Sequence, residues 1–135
     1  SNDAIFATPG VNIGLFCSTP MVAVSRNVNR KHVMRMLLTG EPIKANYAKQ
    51  IGLINDHHEI TNLETKVLEL ANQIASKSTK IIKLGKKAFY NQLEMPIEKA
   101  YKYTSEVMTK NMMTYDAKEG ISAFIEKRNP KWKNK

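Results

Sequence analysis

A single cysteine in 135 residues leaves no internal disulfide and no Cys-based zinc site. Cys17 fits a reducing compartment. Its thiol has no histidine near it in sequence, since His32, His57 and His58 are remote, and small apolar filler is the role its chemistry favours. No apolar run approaches the roughly 18 residues that a membrane span needs. No charged and then apolar leader with a small-residue cleavage site opens the chain, while a transit peptide removed ahead of Ser1 stays open. Glycine-rich phosphate loops, Ser-His-Asp arrangements, linkers, repeats and low-complexity runs are all missing. His57 and His58 are adjacent and diverge on either a helix or a strand, so neither they nor Asp56 offer metal-ligand spacing. Acidic residues are scarce, 12 against 21 Lys and Arg, for a net charge of +9. The lysines are spread over every expected helix and the aromatics do not interleave with them, so no nucleic-acid partner is expected. A phosphate-bearing small ligand or a solvated basic face accounts for the same charge.

What is present is ordinary for one globular domain: 42% hydrophobic and 24% charged residues. Residues 4–7 read as a strand with no visible neighbour. A lone strand leaves its backbone groups unpaired, so the expected partner lies ahead of Ser1 and the chain is expected to be a fragment. After a Thr8-Pro9-Gly10 loop, Ser18-Thr19-Pro20 has the form of a helix start. Arg30 to Thr39 reads as a helix with Val33, Met34, Leu37 and Leu38 on one face and Gly40 as its stop. Glu41-Pro42 makes a turn, Ala45 to Ile51 a short helix ended by Gly52, and Leu53-Ile54 an extended pair. Thr61 to Glu64 reads as a capping box. Ser78 is placed to cap the next helix, Pro96 to open a long one, and Asp116 to Glu119 to start the last, which Pro130 ends. Several of the apolar stripes are wide for a lone body of this size and contain most of the seven methionines. They suit either core or a subunit interface.

Three stretches in this order resemble the crotonase (enoyl-CoA hydratase/isomerase) family. Phe6 to Gly14 is similar to the family's passage from a core strand into the active-site loop. Leu37-Leu38-Thr39-Gly40-Glu41-Pro42-Ile43, with Ala45, Ala48, Gly52 and Leu53, is similar to its "LTG-x-x-I-x-A-x-x-A-x-x-x-GL" stretch. Glu119 to Arg128 looks like its last helix. The resemblance implies a mainly α chain: the C-terminal helical and oligomerisation part of the α/β crotonase fold, with a short strand left from the core. It implies a remnant of the core at 1–16 and a helical, trimerising region at 17–135.

The resemblance further implies an acyl-CoA thioester as ligand, with coenzyme A as part of the substrate and no separate cofactor or metal. Such proteins assemble as trimers or hexamers, and the family points to the mitochondrial matrix, with the cytoplasm as the other compartment. Two backbone N–H groups hold the thioester oxygen as the enolate develops, and hydratases use two glutamates on the attacking water. The first glutamate and both oxyanion donors are implied ahead of Ser1. The second glutamate's position is occupied by Gly10, which has no proton to give. No catalytic residue is therefore expected within the chain, and Glu41, in a turn the family places away from the thioester, is no substitute. Phe124 and Lys127, three residues apart on the expected last helix, are implied to hold the adenosine diphosphate end of CoA. Core packing for Phe124 and solvation for Lys127 is the other reading. Cys17, Ser18 and Thr19 are implied to line the acyl site. Two functions stay open: part of an acyl-CoA enzyme that is inactive alone, and a catalytically silent CoA-binding or regulatory homologue. Isomerase, hydrolase or decarboxylase chemistry in a whole protein stays open too.

Overall fold

The computed structural model describes residues 1–134. Seven α-helices, one 3-10 turn and two short strands make up the described residues, so the mainly α expectation holds. Length alone favours one domain. The contacts instead fall into two compact units, Ser1–Leu68 and Glu69–Lys135. The expected division at 16/17 concerns which part of a larger fold each stretch belongs to, and is a separate question.

The first unit contains β1 (Ile5–Phe6), the 3-10 turn Pro9–Ile13, α1 (Ser18–Ser25), α2 (Arg30–Thr39), β2 (Ile43–Lys44) and α3 (Ala45–Gln50). β1 pairs antiparallel with β2, Ile5 opposite Lys44 and Phe6 opposite Ile43. One edge of the strand is therefore paired within the chain, by β2. The α2 bounds match the sequence reading, and Gly40 ends the helix at φ 63°, a left-handed value that costs glycine little. Its apolar face is different. Val33, Met36 and Leu37 are buried, whereas Met34 and Leu38 are 49% and 62% exposed. The core joins these three to Val28 and Ile51, with Cys17, Met21, Val24, Ile43, Tyr47 and Leu53 packed around them. Each such side chain contributes roughly 1.5–3 kcal/mol when fully buried. Leu53 and Ile54 form a bend rather than a strand. The 3-10 turn packs on α2, and at Gly40 a Cβ would lie 3.0 Å from Asn12 and 3.1 Å from Val11.

Helix α4 is Ile60–Ala75, so Thr61 lies inside its first turn and is not the cap of a capping box. The second unit contains α5 (Thr79–Leu93), α6 (Ile97–Met112) and α7 (Tyr115–Ile125). Ser78 caps α5 as expected, accepting from the Ile81 N–H at 3.3 Å. Pro96 sits at the start of α6. The cap of α7 is Thr114, whose hydroxyl accepts from the Ala117 N–H, and not Asp116.

The buried residues of this unit are few and small: Ala88, Ala123, Ser78 and Asp116. A polar strap takes the place of a large apolar core. Asp116 accepts from the Ser78 hydroxyl and from the backbone N–H groups of Lys133 (2.8 Å) and Asn134 (2.9 Å). Trp132 donates its indole N–H to the Ser76 carbonyl at 2.8 Å and lays its ring against Gly120, where a Cβ would come within 3.2 Å. Arg128 grips Glu119 with two N–H groups, at 2.6 and 3.1 Å. Two contacts close the strap: the Lys133 ammonium over the Tyr115 ring and the Asn134 amide oxygen on the Thr79 N–H.

Candidate functional site

The Gly10 turn is built by its neighbours. Pro9 fixes the first position of the 3-10 turn. The Gly10 N–H donates to Cys17 Sγ at 3.3 Å, and the Gly10 carbonyl accepts from the Leu15 N–H at 2.9 Å. Gly14 closes the turn at φ 76°. A Cβ on Gly10 would sit 2.8 Å from Cys17 Sγ and 2.8 Å from the Leu15 carbonyl oxygen. The thiol can rotate away, but the carbonyl oxygen is backbone and cannot. A side chain at this position would therefore require the Leu15 backbone to shift.

Cys17 is half-buried, packs on the core of the first unit and accepts from Gly10. Ser18 and Thr19 are exposed in the first turn of α1, and the Ser18 hydroxyl donates to the Phe16 carbonyl at 3.2 Å. The structure thus brings Gly10 and Cys17 into contact, with Ser18 next to Cys17 at the start of α1.

Phe124 and Lys127 belong to the second unit. Phe124 is 84% exposed on the last turn of α7, so it is not core within this chain. Lys127 is not on the helix. α7 ends at Ile125, and Lys127 has φ 53°, in the left-handed region that non-glycine residues rarely enter. The Lys127 N–H donates to the Phe124 carbonyl at 3.3 Å and the Arg128 N–H to the Ala123 carbonyl at 3.0 Å. This is a Schellman ending with lysine where glycine is usual. The two residues are neighbours, but through a turn of backbone and not through a shared helix face. Phe124 also edges a cavity of about 400 Å³ with Ile81, Ile82, Ile121 and Trp132. The amide oxygen of Asn111, another lining residue, is buried without a partner among the described residues.

The electrostatics of the second unit centre on the strap. Hydrogen bonds from Arg128 and from the Lys131 N–H hold the Glu119 carboxyl down to about 2. Burial pushes Asp116 up. The Ser78 hydroxyl, two backbone N–H groups and the nearby Lys80 charge outweigh it, and the net shift is downward from 3.8. In the first unit the Lys49 ammonium, 2.7 Å away, lowers Asp56. His57 bonds Asn2 through Nδ1 at 2.6 Å, so the histidine pair ties the start of the chain to the loop before α4. No group of three or more His, Cys, Asp or Glu among the described residues is placed to hold a metal ion. No helix among them is long and apolar enough to cross a membrane.

The family model described as Enoyl-CoA hydratase/isomerase matches residues 1–135, the whole chain. The chain belongs to that family. Mitochondrial enoyl-CoA hydratase domain-containing protein 3 of Mus musculus is 47% identical over 132 residues, covering 98% of this chain and 44% of that protein. The short-chain-enoyl-CoA hydratase of Clostridium acetobutylicum is 34% identical over 131 residues, 95% of this chain and 49% of that one. Among solved structures, human enoyl Coenzyme A hydratase domain-containing protein 3 superposes with a TM-score of 0.92 at 46% identity, over 97% of this chain and 52% of that chain. An enoyl-CoA hydratase of Mycobacterium smegmatis gives a TM-score of 0.93 at 46% identity, over 97% and 51%. The chain thus spans about half the length of the relatives it matches.

Two residues went unforeseen. Asp116, read as part of a helix start, is the buried anchor of the strap, and Trp132 is its apolar lock. The signal in each case was an unusual residue near a chain end, an acidic group or an indole with an N–H to satisfy.

Proposed function

We propose that the chain is the helical, CoA-holding share of an enoyl-CoA hydratase/isomerase-family protein, and that it does not itself hydrate enoyl-CoA. One observation carries the second half: where the family's second water-activating glutamate would be stands Gly10, with the Leu15 carbonyl packed so close that an added Cβ would displace backbone. Loss of one general acid or base typically costs two to four orders of magnitude in rate. The first glutamate and the oxyanion donors belong, by the same resemblance, to the half of the relatives that this chain does not span.

Phe124 and Lys127 hold the adenosine diphosphate end of CoA. The exposed ring of Phe124 offers a stacking face, and Lys127 is an exposed cation in the turn that follows it. Cys17, Ser18 and Thr19 line the acyl end in the whole protein, which takes CoA as part of its ligand and needs no separate cofactor. The region 17–135 drives assembly into trimers or hexamers, and 1–16 belongs to the catalytic core. The mitochondrial names of the relatives support a place in the mitochondrial matrix.

The test is calorimetry with coenzyme A. Phe124→Ala and Lys127→Gln should each weaken binding about tenfold with the fold unchanged by circular dichroism. Unaltered affinity in both variants would remove the assignment. A catalytically silent CoA-binding protein is the second reading, favoured by the same closed turn. Tight CoA binding by the whole protein with no turnover of any acyl-CoA selects it.

A further inference from the structure

The second unit has a cationic groove that the CoA reading does not use. Lys80, Lys83 and Lys87 stand on one face of α5 at spacings of three and four residues. They meet Lys110 and Thr114 of the α6–α7 corner around a groove of about 420 Å³, with Leu84 among the lining residues. A second hollow continues it over Thr79, Lys80, Lys83 and Asn134. Phe124 and Lys127 line neither hollow.

Three features set this apart from a solvated lysine face. Between Glu69 and Glu94 the chain has five lysines and no carboxylate, so the face has no acidic neighbours along its own helix. Lys80 feels the charge of Asp116, but Lys83, Lys87 and Lys110 form no ion pair with any described residue. Lys80 also lies in the first turn of α5, where the helix's own partial positive charge opposes it and acidic residues are the stabilising choice. Four lysines gathered round one groove with a single carboxylate among the described residues, Asp116, near them favour an anion with several charges.

We infer that the Lys80–Lys83–Lys87–Lys110 groove binds a small ligand carrying clustered phosphate groups, at a site separate from the Phe124–Lys127 pair. Ammonium groups on flexible stems converge on phosphate oxygens as point charges from several directions. A concave groove selects a soluble polyphosphate over a flat anionic membrane.

The experiment is titration of the full chain with sodium tripolyphosphate at about 0.15 M salt, where surface attraction is screened beyond roughly 8 Å. Saturable one-to-one binding is expected. Lys83→Gln combined with Lys87→Gln should lower the affinity at least tenfold, Lys110→Gln alone several-fold, and Lys127→Gln not at all. All four positions are exposed, so folding is expected to survive, as circular dichroism checks. The same protein mixed with phosphatidylcholine vesicles containing phosphatidylglycerol should stay unbound in flotation. Absence of saturable binding, equal affinity in the Lys83/Lys87 and Lys110 variants, or flotation with vesicles in place of tripolyphosphate binding would each overturn the inference.

Discussion

At Gly10 the chain shows how a missing side chain can become a missing space. A Cβ there meets the Leu15 carbonyl oxygen at 2.8 Å, closer than unstrained Cβ contacts come. Gly10→Ala should therefore destabilise by about 1–3 kcal/mol, the usual range for overpacking, measured as a lower midpoint in urea. Adding Cys17→Ala should return only part of the loss, because it removes the sulfur contact and leaves the backbone one. Gly10→Glu should unfold the turn rather than restore chemistry. Lys127 poses the opposite case, a side chain on backbone that prefers none. Lys127→Gly should leave stability unchanged or raise it by up to about 1–2 kcal/mol, while CoA affinity falls. A drop in both would mean that the lysine side chain supports the turn itself.

At the scale of elements, the strap makes the second unit acid-sensitive. Glu119 and Asp116 both titrate lower in the folded chain than their ordinary values of 4.5 and 3.8, Glu119 at about 2. A carboxylate depressed by folding contributes stability that is present above its unfolded value and is lost as pH falls through its folded value. Thermal unfolding should thus be flat above about pH 5 and fall between about 4.5 and 2. In Glu119→Gln, which also breaks the Arg128 clamp, the melting temperature should be lower at neutral pH and less steeply pH-dependent below 4.5.

The same strap marks the limit of what the sequence discloses. Helices bounded by Gly40, Ser78 and Pro96 were legible, because a left-handed stop, a hydroxyl cap and a ring-locked φ act locally. β2 was not, since two residues between Pro42 and a helix have no alternation to read. Nor was Asp116, because a carboxylate three residues before Glu119 has the pattern of a helix start whichever tertiary partners it finds. The site was half legible: Gly10 stood out by its motif. The placement of Lys127 beyond the helix turned on a Schellman ending that normally announces itself with glycine.

Across the whole molecule, apolar surface remains uncovered. α4 and α6 bury no residue, and Ile97, Tyr101, Met113 and Ile125 are each about 70% exposed or more. Patches of this kind mark surfaces made for another surface. The chain should associate, and gel filtration should show its apparent mass rising with concentration. A monomer at every concentration would remove the oligomer reading.

Glycine at position 10 has no group with which to activate a water. The most direct measurement is hydration of crotonyl-CoA by the purified 135-residue chain, followed as loss of the enoyl absorbance. The rate should not rise above the buffer background at any protein concentration. Turnover at enzyme-like speed, proportional to the amount of chain, would mean that the chain activates water without a side chain at position 10.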